Sequence, residues 1–497
     1  MAGGEWKHMK HHEQIEHKFP PRENQVIAIN NTVEGFTANG FHGQLLEMSL
    51  GKSKCALNVA EIMKGYKALD RLIIICPKAI QSVWLEEIPK HSNFDCTPVI
   101  WDNKQTIKKQ KEISELFTTE FPILILRLEM FQKKNEVLKK FLASFFEKPT
   151  MIILDESSKI KNVTTQRTPR LIEYTKDAAY KTILTGTPWT ESPLDIFSQM
   201  EFLHTGFWYK YAGEWTPNTL KKHWYIFRNR YAIMKEIRTG EGRSFKTMVG
   251  TRRTEEIARK IQTHVTQQKK IDWLDLPEKV FQTLHVAFST TESKAYKTLK
   301  EKLILEHGDE VLTVQSAVTL LTRLRQLSGG FYPITGEPID KKPSGIEMLM
   351  EDVSEYRGKV VIAAAYVAEI QGIVKALAKE YGEDQVCTYY GATKNRDEEL
   401  VRFKESAQFM VVNPQSAGYG LNLQFASLMY LYSRPYSYEQ NAQLEDRIHR
   451  PGLVGNAIYK DIIHVGSIQE KVLEAIIKKK DVIDQFDRLT LKDFLNG

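Results

Sequence analysis

A chain of 497 residues is longer than one hydrophobic core organises and should divide into domains of ordinary size. With 42% hydrophobic and 26% charged residues, no apolar run long enough to span a bilayer, and a polar start (Lys7, His8, Lys10, His11, His12), it excludes a membrane-spanning or signal-peptide-led protein and points to the cytoplasm. Sixty-nine Lys and Arg against 62 Asp and Glu leave +7, which suits a polyanionic partner without establishing one; Cys55, Cys76, Cys96 and Cys387 form no Cys-x-x-Cys pair, so neither zinc nor a disulfide framework is suggested.

Residues 1–20 read as an N-terminal extension. From 21 to 200, strand-like apolar runs (Arg71–Cys76, Pro98–Trp101, Pro122–Leu126, Met151–Leu154, Lys181–Leu184) alternate with helical patterns, as parallel βαβ units require. Residues 201–275 are instead aromatic and basic, with Phe207, Trp208, Trp215, Lys221, Lys222, Trp224, Arg228, Arg230, Arg252 and Arg253. They read as a helical insertion and linker ending near Leu276-Pro277, whose aromatic residues form a small core with a charged rim rather than stack on bases. From 276 to 497 the alternation returns in Val280–Ala287, Lys359–Ala365, Gln385–Tyr389, Phe409–Val412, Leu428–Leu431 and Ile458–His464. The expected architecture is α/β, with two parallel-sheet lobes and helical insertions.

The run Met151–Leu154 ends in Asp155-Glu156. Adjacent carboxylates at a strand end can hold a metal ion and activate a water, although alone they equally describe acidic side chains meeting a helix dipole. Gly51-Lys52-Ser53 precedes a helical stretch, where backbone N–H groups can surround a phosphate, Lys52 neutralise the outer phosphates and Ser53 offer its hydroxyl to Mg²⁺. Only half of the usual phosphate-loop spacing is present, because Leu46 occupies the first glycine position. In Gln443–Arg450, Arg447 and Arg450 stand three apart, on one face of an expected helix. Alone that segment is an exposed helix with Glu445 and Asp446 pairing the arginines; beside the other motifs an arginine finger is favoured.

Together, and in this order, the motifs resemble the Swi/Snf-type ATPases of helicase superfamily two. Leu46-Glu47-Met48-Ser49-Leu50-Gly51-Lys52-Ser53 is similar to the family's nucleotide loop, and Asp155-Glu156-Ser157-Ser158-Lys159-Ile160-Lys161-Asn162 to its Asp-Glu-x-His-x-x-Lys-Asn. Leu184-Thr185-Gly186-Thr187-Pro188 looks like the third motif, Leu321–Leu327 like the Leu-Arg-Gln segment, and Tyr390-Gly391-Ala392-Thr393 with Arg396 and Phe403 like the block before motif five. Ser416–Leu423 resembles motif five and Gln443–Gly452 motif six. Departures are Leu46 and Ser49 for an acidic residue and a glycine, Ser157-Ser158 for Ala/Gly-His, and Thr190-Glu191 after Trp189 for Gln-Asn. Gln267-Gln268-Lys269-Lys270 stands where the family carries an Arg-Arg-x-Lys brace.

The resemblance implies two RecA-like lobes and ATP with Mg²⁺ as cofactors. It assigns Lys52, Asp155, Glu156, Arg447 and Arg450 to catalysis, Gln25 to adenine, and Gly51, Lys52, Ser53, Gly420 and Gln443 to nucleotide binding, with Ser53 and Asp155 on the metal. Lys78, Thr187, Gln415, Ser416 and Tyr419 are the implied nucleic-acid contacts. The implied activity is DNA-stimulated ATP hydrolysis driving translocation on double-stranded DNA, forked or branched DNA included, by a monomer whose specificity comes from a protein partner. The alternatives are a strand-separating DNA or RNA helicase and a DNA-binding scaffold with a weakened ATPase. A minimal phage or bacterial enzyme is expected, associated with the nucleoid or in host cytoplasm. Coupling through Ser157-Ser158 and Trp189 is the open point.

Overall fold

The computed structural model describes residues 10–101, 107–211, 213, 215–238, 244–307, 314–417 and 421–479. They fall into two compact units. Of the described residues, the first takes those up to Met234 and Met248–Trp273; the second takes those within Lys235–Thr247 and Leu274–Asp481. The segment 201–275 is thus not a body of its own.

In the first unit, β1 (Phe41–Leu46), β2 (Arg71–Cys76), β3 (Val99–Ile100), β4 (Ile123–Arg127), β5 (Thr150–Asp155), β6 (Tyr180–Leu184) and β9 (Val265–Gln268) form one sheet. Its order is β3-β4-β2-β5-β6-β1-β9, with every adjacent pair parallel. Between β6 and β9 lie β7 (Ala232–Arg238) and β8 (Ser244–Thr251), which make a separate two-stranded sheet. Leu72–Ile75, Ile123–Leu126 and Met151–Leu154 are fully buried, the expected result for strands covered on both faces.

Two strands escape the apolar pattern. β1 carries His42 and Gln44, and β9 carries Thr266 and Gln268, all buried. Each side chain makes a hydrogen bond: His42 Nε2 lies 2.8 Å from Thr266 Oγ1, Gln44 Nε2 donates to Thr32 Oγ1 at 3.1 Å, and Gln268 Nε2 donates to the Asn24 carbonyl at 2.8 Å. Burial, helped by His264, lowers the His42 pKa to about 3, so its ring is neutral at physiological pH. The insertion expected to be helical therefore returns a strand to the sheet beside β1. Its aromatic residues pack on one another: Phe227 lies 4.6 Å from both Trp208 and Tyr231, centroid to centroid. The described part of the extension docks on the same unit, with His11 Nδ1 3.0 Å from the Tyr66 hydroxyl.

The second unit holds β10 (Lys279–Val286), β11 (Val360–Ala363), β12 (Val386–Tyr389), β13 (Phe409–Val412), β14 (Leu428–Leu431) and β15 (Ala457–His464), again all parallel, in the order β10-β15-β14-β11-β13-β12. Alternate residues feed two cores: Val360, Ile362, Phe409, Val411 and Tyr430 on one face, Val361, Ala363, Met410, Val412 and Met429 on the other. These are the two RecA-like lobes. Where β14 ends, Arg434 is buried in an ion-pair network, donating from Nε to Asp461 Oδ1 at 2.5 Å, from Nη2 to Asp461 Oδ2 at 3.0 Å and from Nη1 to Glu445 Oε1 at 2.9 Å. Removing the guanidinium strands the buried Asp461 carboxylate and leaves Glu445 to Lys279, so Arg434→Met should destabilise this unit by about 3–5 kcal/mol. All eight tryptophans precede residue 274. Chemical unfolding should accordingly show an earlier circular-dichroism transition with the tryptophan-fluorescence transition unmoved.

Candidate nucleotide site

In a parallel sheet the loops after the strands gather at one edge, and the first unit places its motifs there. The loop after β1 turns sharply, with Ser49 at φ 69° and Gly51 at φ 87°. Gly51 caps the helix Lys52–Gly65, and a Cβ on it would lie 2.2 Å from Gln25 Nε2. The Lys52 ammonium curls back over the loop, donating to the carbonyls of Leu46 at 2.8 Å and Glu47 at 3.4 Å. From the end of β6, Gly186 approaches the same loop so closely that a Cβ would lie 3.3 Å from Met48 N and 3.4 Å from Lys52 Nζ. Gln25 is buried against it, donating to the Leu50 carbonyl at 3.1 Å and accepting from Arg22 N at 3.1 Å.

Asp155 ends β5. Its Oδ2 accepts from the indole of Trp84 at 3.0 Å and its Oδ1 from the Glu156 backbone at 2.9 Å. Burial pushes its carboxyl above the usual carboxylate range, against the opposing pull of the Lys52 charge and these two donors. Glu156 sits in a left-handed turn at φ 53°, a conformation that needs support from its surroundings. Trp84 and Glu87 stand three apart on the helix Gln81–His91. Glu87, raised by burial, accepts a hydrogen bond from the Ser53 hydroxyl and feels the Asp155 charge. Sequence reasoning missed both; an aromatic-acidic face on the helix after β2 was the available signal.

Lys52, Ser53, Asp155 and Gly186 thus come to one edge. A left-handed loop with a lysine over it, a helix start bearing a hydroxyl, and a carboxylate at the neighbouring strand end fit a nucleotide triphosphate with its divalent cation. Lys78 is exposed after β2, its N–H 3.3 Å from Glu129 Oε2, and Thr187 is half-buried after β6 with its N–H donating to Thr185 Oγ1 at 3.1 Å.

In the second unit, Gln415 is exposed and Ser416 half-buried on the short helix Pro414–Ala417 after β13; Tyr419 and Gly420 lie outside the described residues. Arg447 and Arg450 do not share a helical face, because the helix Tyr438–Glu445 ends before them. Arg447 is buried and donates from Nη1 to the Leu421 carbonyl at 3.1 Å, and Arg450 donates to the Asp446 carbonyl at 2.9 Å. Glu445 and Asp446 pair with Lys279, at 3.5 and 3.3 Å, and Glu445 also with Arg434, while the Asp446 charge acts on Arg450. Gln443 is buried, with Nε2 3.2 Å from Glu439 Oε1.

Residues 36–329 match the SNF2-related domain and residues 344–452 the helicase conserved C-terminal domain. The first match covers more than half of the chain, which therefore belongs to the SNF2-related family of helicase-like ATPases. A Caenorhabditis elegans protein described as a homolog of SWI/SNF-related matrix-associated actin-dependent regulator of chromatin subfamily A-like protein 1 is 24% identical over 449 residues, covering 88% of this chain and 58% of its own. A probable chromatin-remodeling complex ATPase chain of Oryza sativa subsp. japonica is 21% identical over 486 residues, covering 92% and 40%. The Sulfolobus solfataricus SWI2/SNF2 ATPase core solved in complex with dsDNA aligns at a TM-score of 0.43 and 20% identity, over 97% of this chain and 96% of that one. The chain spans about half the length of the curated relatives it matches.

Two measurements check the site. Ser49→Gly relieves a left-handed non-glycine residue and should stabilise the first unit by about 1 kcal/mol, seen in tryptophan-monitored unfolding. Trp84→Phe keeps the ring but removes the donor to Asp155, and should weaken binding of a fluorescent ATP analogue with Mg²⁺ about tenfold in direct titration.

Proposed function

We propose that this chain hydrolyses ATP on contact with double-stranded DNA and uses the cycle to move along the duplex, displacing bound strands or proteins. The observation that carries the reading is the convergence of Lys52, Asp155 and Gly186 on one left-handed loop. In this reading Gly51 and the amides that follow receive the phosphates, Lys52 leaves its carbonyl partners to neutralise the outer ones, and Gln25 faces the adenine. Ser53 and Asp155 would hold a magnesium ion, which would supply positive charge to offset that of the phosphates. Glu156 orients a water and takes its proton as the oxygen attacks phosphorus and the bond to the β-phosphate oxygen breaks, releasing ADP and phosphate. Arg447 and Arg450 supply positive charge to the transition state, while Gln443 and Gly420 complete the nucleotide contacts.

DNA is gripped at its phosphates by Lys78, Thr187, Gln415, Ser416 and Tyr419, contacts that carry no base information. The relatives' names, a regulator of chromatin and a chromatin-remodeling ATPase, support a DNA substrate. Among the described residues no helix is long and apolar enough to cross a membrane. In this reading a monomer, directed by a protein partner, works beside DNA in the cytoplasm. One observation favours strand separation as a second reading: the β7–β8 ribbon exposes Ile233, Met248 and Val249, as a strand-splitting wedge would.

Duplex DNA should stimulate ATP turnover, and Lys52→Ala or Glu156→Gln should each lower it by about 10³-fold or more while duplex binding in a filter assay persists. Turnover in Glu156→Gln equal to wild type would leave only a DNA-binding scaffold. Triplex displacement without unwinding of a fork marks the translocase; fork unwinding without triplex displacement marks the helicase.

A further inference from the structure

Between the hydrolytic strand end and the Thr185–Pro188 loop runs a line of buried polar groups that the nucleotide chemistry leaves unused. Ser157, directly after the left-handed Glu156, is fully buried, and its hydroxyl donates to Gln199 Oε1 at 2.7 Å. Gln199, on the helix Phe197–Leu203, is 0% exposed. Its amide nitrogen donates to the Pro188 carbonyl and, at 3.0 Å, to the Asp195 carbonyl. A second line accompanies the first. Lys161 Nζ donates to Thr190 Oγ1 at 2.6 Å and Glu191 Oε1 at 2.8 Å, and Asp195 Oδ2 accepts from the backbones of Thr190 at 2.9 Å and Glu191 at 2.8 Å.

A primary amide with no exposure is an expensive core residue, since leucine would fill similar volume without desolvating polar atoms. Two of the three hydrogen bonds of the Gln199 side chain join the turn after Glu156 to the chain just beyond Thr187, and the third goes to the Asp195 carbonyl one helical turn back. We propose that Ser157 and Gln199 are positioning residues that fasten the Glu156 turn to the Thr187-Pro188 loop, so that duplex DNA at the loop sets the carboxylate for hydrolysis. This rests on the reading of Thr187 as a DNA contact and Glu156 as the base. It assigns the connection to Ser157, one position before the histidine of the family's pattern, and to a residue outside the recognised motifs.

The test compares wild type, Ser157→Ala, Gln199→Leu and the double variant as full chains. ATP turnover is measured with and without a plain DNA duplex, and unfolding of the first unit by tryptophan fluorescence. Each single variant strands a buried partner and lowers the unfolding midpoint, whereas the double sets apolar against apolar and recovers much of it. If the pair couples the two ends, the ratio of duplex-stimulated to duplex-free turnover falls about fivefold or more in Gln199→Leu and stays low in the double variant despite its recovered stability. Ser157→Thr, which keeps the hydroxyl, stays near the wild-type ratio. A double variant whose ratio returns to wild type together with its stability overturns the proposal and leaves a structural pair. Variants that match a stimulated wild type overturn it too, while a wild type that the duplex does not stimulate overturns the functional reading beneath it.

Discussion

The first lobe is organised around one carboxylate, half-buried at the end of the central strand of its sheet. Met151–Leu154 bury completely, and the strand delivers Asp155 to the edge of the sheet with its carboxyl already raised by burial. Three groups offset that cost: the Trp84 indole, the Glu156 backbone N–H and the charge of Lys52. Each is tied elsewhere. Trp84 fixes the helix that carries Glu87 to the Ser53 hydroxyl, Glu156 accepts a left-handed turn, and Lys52 rests on the Leu46 carbonyl. Asp155, Trp84, Glu87 and Ser53 are thereby held in one network within the first lobe.

The second lobe meets a similar demand with charge rather than with aromatic donors. Arg434, Asp461, Glu445 and Lys279 form a buried network around the segment that leads to Arg447 and Arg450. Burial alone would raise the Glu445 carboxyl, yet Lys279 and Arg434 hold it below the usual range, so Glu445 stays ionised at physiological pH. That fixes the end of the helix Tyr438–Glu445 and sets where the two arginines emerge.

Strands made of unbroken apolar residues, such as Leu72–Ile75 and Phe409–Val412, were legible because burial on both faces leaves no other composition. β1 and β9 were not, since His42, Gln44, Thr266 and Gln268 are polar residues buried through hydrogen bonds to one another and to the first helix, and such pairing leaves no periodic trace. Motif residues whose chemistry depends on spacing (Lys52 and Ser53, Asp155 and Glu156) could be proposed from order alone. Trp84, Glu87 and Gln199 could not, because their importance lies in what they touch across 30 or more positions of chain. The arginine pair misled for a local reason: three-residue spacing suggests a helical face, but the helix stops at Glu445, where Lys279 engages both acidic residues.

The placing of β9 bears on how the protein is made. Residues Gly43–Leu46, beside the phosphate loop, pair with Val265–Gln268, and Gln268 also accepts the Glu47 N–H at 3.0 Å and contacts Asn24. A ribosome must therefore add more than two hundred residues after the loop before its outer neighbour exists. Such a long-range pairing slows folding. Until β9 is made, the buried His42 lacks its Thr266 partner and the outer edge of β1 stays unpaired beside the loop that follows it.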